Sequence, residues 1–449
     1  MLTPGGRRRR RWPWIAGAVV VLAAGAAVAA YFAFVKAPGD VSHPNVEFTA
    51  PKRAASQPKK RDTGYDWPLY GYDLGRTRYL PGVALRPPFV REWTRPGSHL
   101  IEFQPVLRSG RLYYQKNNGE IYSISAATGR VRWRRHIGGL SASAPAVAGG
   151  KVYAVVNKVG VGGIAGGGPG RLVAMDARTG RIRWATRFAS ASESSPLATA
   201  GRIYVGSQDG TVYCLLAKSG RIVWRYRAGG AVKAAPALSN GRIFIGAYGG
   251  TVTAVRARTG SVIWRAGTSG RSFGRAGNFY GTPAVAFGRV YAGNTDGRVY
   301  SFAASSGKLA WSRSTGGYVY AAPAVAEVPG SKPAVYIGSY SGKFMALDAR
   351  SGAVIWSRGG YGTISGAASV IGEVVYFSSL SRRRTWALGA RTGRTLWSLG
   401  RGAFNPAISD GIRIYITGYG TQYAFTTARQ LARDRADQRS RARAAAKKR

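Results

Sequence analysis

One eight-residue phrase recurs along this chain, and it limits the possible folds more than any other feature. "AKSGRIVW" at 217–224 returns as "ARTGSVIW" at 257–264. The core of the phrase is Ser or Thr, then Gly, then Trp four residues after the Gly. It occurs at Thr128-Gly129 with Trp133, Thr179-Gly180 with Trp184, Ser219-Gly220 with Trp224 and Thr259-Gly260 with Trp264. Ser306-Gly307 with Trp311, Ser351-Gly352 with Trp356 and Thr392-Gly393 with Trp397 complete the series. An eighth Trp, Trp93 in "FVREWTR", lacks the preceding turn. Successive Trp residues are 40 to 51 positions apart. A fixed period of 20–50 residues is the signature of a repeat architecture.

Each copy has the same surroundings. A small-residue segment ends near Pro: "SAP" at 143–145, "SSP" at 194–196, "AAP" at 234–236, "GTP" at 281–283 and "AAP" at 321–323. A Gly turn follows, then an alternating strand such as "GRIYVG" at 201–206. A tight turn such as "QDG" at 208–210 leads to a third strand, and the Ser/Thr-Gly turn leads to the Trp strand. Period-2 alternation bounded by Gly and Asp turns predicts β-hairpins, with Gly supplying the positive φ. Each unit is therefore four short antiparallel strands, one blade of a β-propeller.

The ends of the array predict how the ring closes. The last unit, 404–427, has three strands and no Trp strand, whereas "FVREWTR" is a Trp strand without partners. Joined, they make an eighth blade and leave no open ring edge. The eight Trp residues are expected to fill the wedges between blades rather than to stack on a ligand.

The N-terminus reads as an address. Residues 1–11 end in five Arg, and 12–35 carry no charge and are long enough to cross a ~30 Å hydrocarbon core. The basic cluster predicts a cytoplasmic N-terminus with everything after Lys36 on the other side. The alternative is a signal peptide cleaved near Ala27-Val28-Ala29, leaving a secreted protein. Residues 36–65, rich in Pro and charge, read as a flexible linker. Residues 66–427 read as the propeller, and 428–449 as a basic tail, helical or disordered.

The pattern in "AMDARTGRIRW" (174–184) and "ALDARSGAVIW" (346–356) resembles the repeat of pyrroloquinoline-quinone propellers. The lead-in "DWPLYGYDLGRTRYLPG" at 66–82 is similar to the opening of quinoprotein dehydrogenases. The resemblance implies an all-β, eight-bladed propeller. It also implies a choice of roles: quinone-dependent dehydrogenase, cofactor-free propeller of the outer-membrane β-barrel assembly machinery, or sensor domain of a membrane kinase. Fold alone does not choose among them.

The residues favour a non-enzymatic role. The family's alcohol dehydrogenases clamp their quinone with two adjacent Cys and hold Ca²⁺ with carboxylates, whereas Cys214 is the only cysteine here. Asp176 and Asp348 belong to the structural turn motif, and Asp209 and Asp296 to hairpin turns, so no cluster of acids remains for a hard cation. No cofactor, metal site or catalytic residue is expected. The alternative is a quinoprotein-like oxidoreductase.

Net charge points to partners. The chain carries +48, and residues 88–427 alone carry 43 basic and 11 acidic residues. A positive field of that size attracts anionic lipid head groups, acidic cell-wall polymers and acidic protein surfaces. Nucleic acid fits the charge but not the address. A GC-rich genome would produce the same Arg bias without any ligand. Loops between strands 2 and 3 and loops between blades should share one face, which predicts a common surface for Arg171, Arg271, Arg275, Arg382, Arg383 and Arg384, with Tyr280 nearby. The alternative is that these are solvated loop charges.

Overall fold

The computed structural model describes residues 39–50, 64–158, 168–268 and 277–446. Among them, eight sheets are built on the same four-stranded antiparallel pattern. In the first, Val106–Arg108, Arg111–Gln115, Glu120–Ser125 and Val131–His136 run in order from inner to outer strand. The next six blades repeat this at 146–187, 197–227, 237–267, 284–314, 324–358 and 369–399. The eighth is composite: Ile408–Ser409, Ile414–Thr417 and Gln422–Thr426 are completed on the outside by Val90–Arg95. Chain closure is therefore made by a strand from the N-terminal side, paired antiparallel from Val90↔Thr426 to Arg95↔Gln422.

Packing between blades explains the repeated phrase. The indole Nε1 of Trp133 donates to the carbonyl of Ala177 in the next blade at 3.0 Å. Trp184, Trp224, Trp264, Trp311 and Trp356 do the same to Ala217, Ala257, Ala304, Ala349 and Ala390 at 2.9–3.2 Å. Trp93 of the closing strand reaches Ala126 at 3.0 Å. Trp397 instead packs edge-on against Phe89 and Phe425. The Gly of each Ser/Thr-Gly turn lies against the preceding blade's indole: a Cβ on Gly180 would stand 2.7 Å from Trp133 Cδ2. Its φ of +72° is the second reason for Gly there. Across the outer strand pair, every repeat Trp faces a small residue, among them Ser123, Ala174, Ala254 and Ser301. Cys214 holds this place opposite Trp224, which accounts for a buried free thiol as a filler of limited volume.

A lead-in segment binds the ring at its axis. The Tyr65 amide donates to Asp410 O of the eighth blade at 2.8 Å, and Trp67 and Leu107 exchange both backbone hydrogen bonds. Further along, Pro68, Leu74, Gly75, Thr77 and Arg78 accept from Val147, Leu238, Val285, Val325 and Val370, in blades 2, 4, 5, 6 and 7. The guanidinium of Arg76 reaches Ser195 O at 3.4 Å and Pro196 O at 3.3 Å in blade 3. Residues 65–80 thus touch all eight blades.

Residues 39–50, read as part of a flexible linker, dock on the fifth blade. Val41–Ser42 adds a fifth strand beside Trp311 and Ser312, and the two oxygens of Asp40 pair with Arg298 at 2.8 Å and Arg313 at 2.6 Å. Val46 and Phe48 pack onto the core there. That alternation of apolar residues was hidden in a stretch that looks polar overall. No helix among the described residues is long and apolar enough to cross a membrane, and the expected span 12–35 lies outside them. The basic tail forms a helix, Ala428–Ala446, whose first turn is capped by Thr427.

Candidate functional site

The repeat builds a funnel on the axis. Between blades, the chain approaches each inner strand through a segment whose last residue is usually Pro. Three positions earlier, the eight copies carry, in ring order, Glu102, Ala142, Glu193, Lys233, Tyr280, Tyr320, Ser365 and Ala403. The residues just before them, such as Ile101, Val232, Phe279 and Val319, are buried between blades. Extended backbone then turns the next side chain toward the axis. A cavity of about 300 Å³ is lined by six of the eight: Glu102, Glu193, Lys233, Tyr280, Tyr320 and Ser365. Tyr340, Phe103 and Phe404 widen its aromatic wall, and Tyr70 of the lead-in segment contributes from below.

Charge and aromatic surface are segregated around this ring. Glu193 pairs with Lys233 at 2.9 Å and accepts from Gln208 at 2.7 Å. Among the described residues, no cation lies within ion-pair distance of Glu102. Burial, followed by the neighbouring Glu193, pushes its carboxyl up to about 7, against a smaller opposing pull from Lys233. On the other side, Tyr280 meets Tyr320 edge-to-face at 5.2 Å, and Tyr320 meets Tyr340 at 4.8 Å. Burial raises the Tyr280 hydroxyl far above its ordinary value. Below Tyr70, the Arg78 guanidinium lies 4.9 Å from the ring centroid, and Arg76 and Arg78 are both fully buried. Burial, then the neighbouring Arg78, lowers Arg76 to about 9. The Arg76 guanidinium donates to backbone carbonyls of Tyr70, Pro236, Ser195 and Pro196, and Arg78 to those of Arg76 and Pro323.

A pyrroloquinoline quinone does not fit this donor set. The quinone bears three carboxyl groups, and the funnel meets it with two carboxylates and one Lys already paired. No group of three or more His, Cys, Asp or Glu among the described residues could hold the accompanying cation.

The residues singled out from the sequence are distributed differently. Tyr280 is in the funnel wall. Arg171 lies in the third strand of blade 2, where its guanidinium donates to the Ile137 carbonyl. Arg382 and Arg383 are exposed in the hairpin turn of blade 7, and Arg384 begins the next strand and donates to Ser398 Oγ at 2.8 Å. Hairpin turns and blade connections do share a face, as the Leu380 amide to Thr363 O and Tyr340 amide to Tyr318 O bonds demonstrate. Blades 7 and 2 are nonetheless three steps apart in the ring, so these arginines do not converge. Arg271 and Arg275 lie outside the described residues. Exposed cations are also plentiful on the outer strands, as at Arg132, Arg134 and Arg135 in blade 1 and Arg225 and Arg227 in blade 3. The funnel was missed because net charge directed attention to arginines. The repeat register, read three positions before each Pro, would have found it.

Comparisons with known proteins agree with the architecture. The family model described as outer membrane protein assembly factor BamB matches residues 90–165 and 168–399. The crystal structure of BamB from Moraxella catarrhalis superposes with a TM-score of 0.60 at 19% identity, covering 75% of this chain and 99% of that one. The quinohemoprotein alcohol dehydrogenase ADHIIG from Pseudomonas putida HK5 gives 0.67 at 15% identity, covering 83% of each chain. A europium-containing methanol dehydrogenase gives 0.65 at 13% identity, covering 82% of this chain and 98% of its own. At such identities the likeness is one of fold. A comparison with curated proteins returned no match. With the family model spanning most of the repeat array, and with eight four-stranded blades locked by the Trp–Gly contact, this chain belongs to the BamB family of PQQ-like β-propellers.

Proposed function

We propose that the protein is a binding and scaffold module of the cell envelope that works without a quinone. The observation that carries this reading is the content of the funnel. A site for a tricarboxylate cofactor should offer uncommitted cations, and this one offers Glu102 and a Glu193–Lys233 pair. Residues 12–35 would anchor the module with the propeller on the extracytoplasmic side. Its arginine-rich outer strands would then meet acidic cell-envelope polymers, lipid head groups or acidic protein surfaces. Protein-partner scaffolding is also what the assembly-factor family name suggests. The test against quinoprotein-like oxidoreductase chemistry is titration of the full chain with pyrroloquinoline quinone and Ca²⁺, followed by its absorbance spectrum. Free quinone alone is the expected result. A saturable bound-quinone spectrum would overturn the reading.

A further inference from the structure

The funnel is acidic and aromatic in a chain of net charge +48. That inversion is local and built by the fold. Glu102 and Glu193 are two steps apart in the ring of eight, with only Ala142 between them, so their fields add over the cavity. Lys233 does not cancel both, because it is drawn to Glu193 at 2.9 Å. Among the described residues, Glu102 is left as a partly buried carboxyl with no cation within ion-pair distance, Lys233 acting on it only from farther away. By ring order, Tyr280 lies opposite Glu102 and Ser365 opposite Glu193, with Tyr320 beside Tyr280. Aromatic faces carry negative potential and favour a cation over them, most of all where water is excluded. A cavity of about 300 Å³ admits a compact group and not a folded polymer.

We propose that the axial funnel binds a compact organic ammonium group, held between the Glu102 carboxylate and the tyrosines at 280, 320 and 340. The inference rests on reading the chain as a binding module. Two sources offer the same chemistry: a free alkylamine, or the lysine side chain of a partner. The surrounding positive field makes the claim discriminating, since non-specific electrostatics would favour anions over cations everywhere else on this protein.

The experiment is calorimetric titration of the full chain with butylammonium, with butyrate and with a lysine-centred tripeptide blocked at both ends. Saturable one-to-one binding of butylammonium or the tripeptide, with butyrate weaker, is expected. Tighter binding of the tripeptide would assign the ammonium to a partner's side chain, and tighter butylammonium to a free amine. Glu102→Gln should weaken the cation about tenfold or more, the loss of one charge-assisted contact. Tyr320→Ala should weaken it as well, and both variants should keep the wild-type circular dichroism. Because burial and Glu193 raise Glu102, with Glu193 and Lys233 the charged groups facing it, affinity should also fall as pH drops through about 7. Equal or tighter binding of butyrate, or cation binding unchanged in Glu102→Gln, would overturn the proposal. Such a failure without a bound-quinone spectrum leaves the binding-module reading standing, whereas quinone binding would remove that reading itself.

Discussion

Gly352 and Trp311 are two halves of one joint. The indole of Trp311 reaches from the fifth blade to the Ala349 carbonyl of the sixth at 3.0 Å, and Gly352, at φ +73°, closes over the ring. A Cβ on Gly352 would lie 2.7 Å from Trp311 Cδ2. The Ser/Thr-Gly turn is therefore a socket as well as a turn.

Gly352→Ala should cost roughly 2 kcal/mol or more, from the left-handed backbone and the overlap together. Gly201→Ala, where a Cβ meets open space, is the control and should change stability by under about 0.5 kcal/mol. Trp224→Ala, which opens a void beside the small residue Cys214, should cost ~3–5 kcal/mol. Urea unfolding of the three variants is the measurement. Equal losses in both glycine variants would reject the socket.

Removing 88–95 should leave Gln422–Thr426 as an unpaired edge and take Glu92 from Arg413. Arg413 bonds both Glu92 oxygens, at 2.7 and 3.0 Å, and Asp434 of the C-terminal helix at 2.7 Å. Aggregation, or a sharp drop in melting temperature, is expected by light scattering and thermal denaturation. A truncated chain that stays monomeric and melts like the parent would contradict closure by this strand.

Glu102 should make stability depend on pH in one direction. Its folded-state carboxyl titrates near 7, above its ordinary 4.5, so the folded form holds this proton more tightly than the unfolded chain does. The contribution is complete below about 4.5 and is lost as pH rises through 7. Glu102→Gln should therefore match the wild type in acid and exceed it at pH 8, by on the order of 1–3 kcal/mol. Denaturant unfolding at pH 4.5, 6 and 8 checks both sign and window. A constant difference across the three would contradict it.

A reporter fused after Arg449 should be active only outside the cytoplasm, because five Arg precede the apolar run at 12–35. Alkaline phosphatase and green fluorescent protein fusions report opposite sides, and cytoplasmic activity would reverse the proposed address.

Binding of the full chain to anionic lipid vesicles should weaken steeply with salt, as exposed charges are screened over ~8 Å at physiological ionic strength. Changing Arg382, Arg383 and Arg384 to Ser is compared with the same change at Arg132, Arg134 and Arg135 on the outer wall of blade 1. Equal weakening by both sets means the whole basic surface acts together. A larger loss from the first set would localise the contact to the hairpin of blade 7.

Much of the architecture was legible because the repeat states it seven times. Trp, Gly and the hairpin turns occupy fixed positions, and the missing Trp strand of the last unit pointed directly to Trp93. What was not legible lay in segments that occur once. Residues 39–50 look like a solvated linker, yet Val41, Val46 and Phe48 fit blade 5 only because that blade's outer edge is there to receive them. Residues 65–80 have no periodicity, since the residues that bond the ring answer to different blades. The funnel was obscured for another reason: its chemistry sits at a register position that varies from copy to copy, while composition reports the outer wall.

The axial segment sets an order of events. It is synthesised before any blade, yet its hydrogen bonds reach from Trp67 on blade 1 to Arg78 on blade 7 and back to Tyr65 on blade 8. None of these acceptors and donors exists when the segment leaves the ribosome or the export channel. Blades must first form locally from adjacent hairpins, as contacts near in sequence do. The ring must then curl around a segment whose Arg76 and Arg78 are still hydrated. Those guanidiniums exchange water for the carbonyls of Ser195, Pro196, Pro236 and Pro323, so the first-made part of the propeller finds its place only when blades made after it arrive.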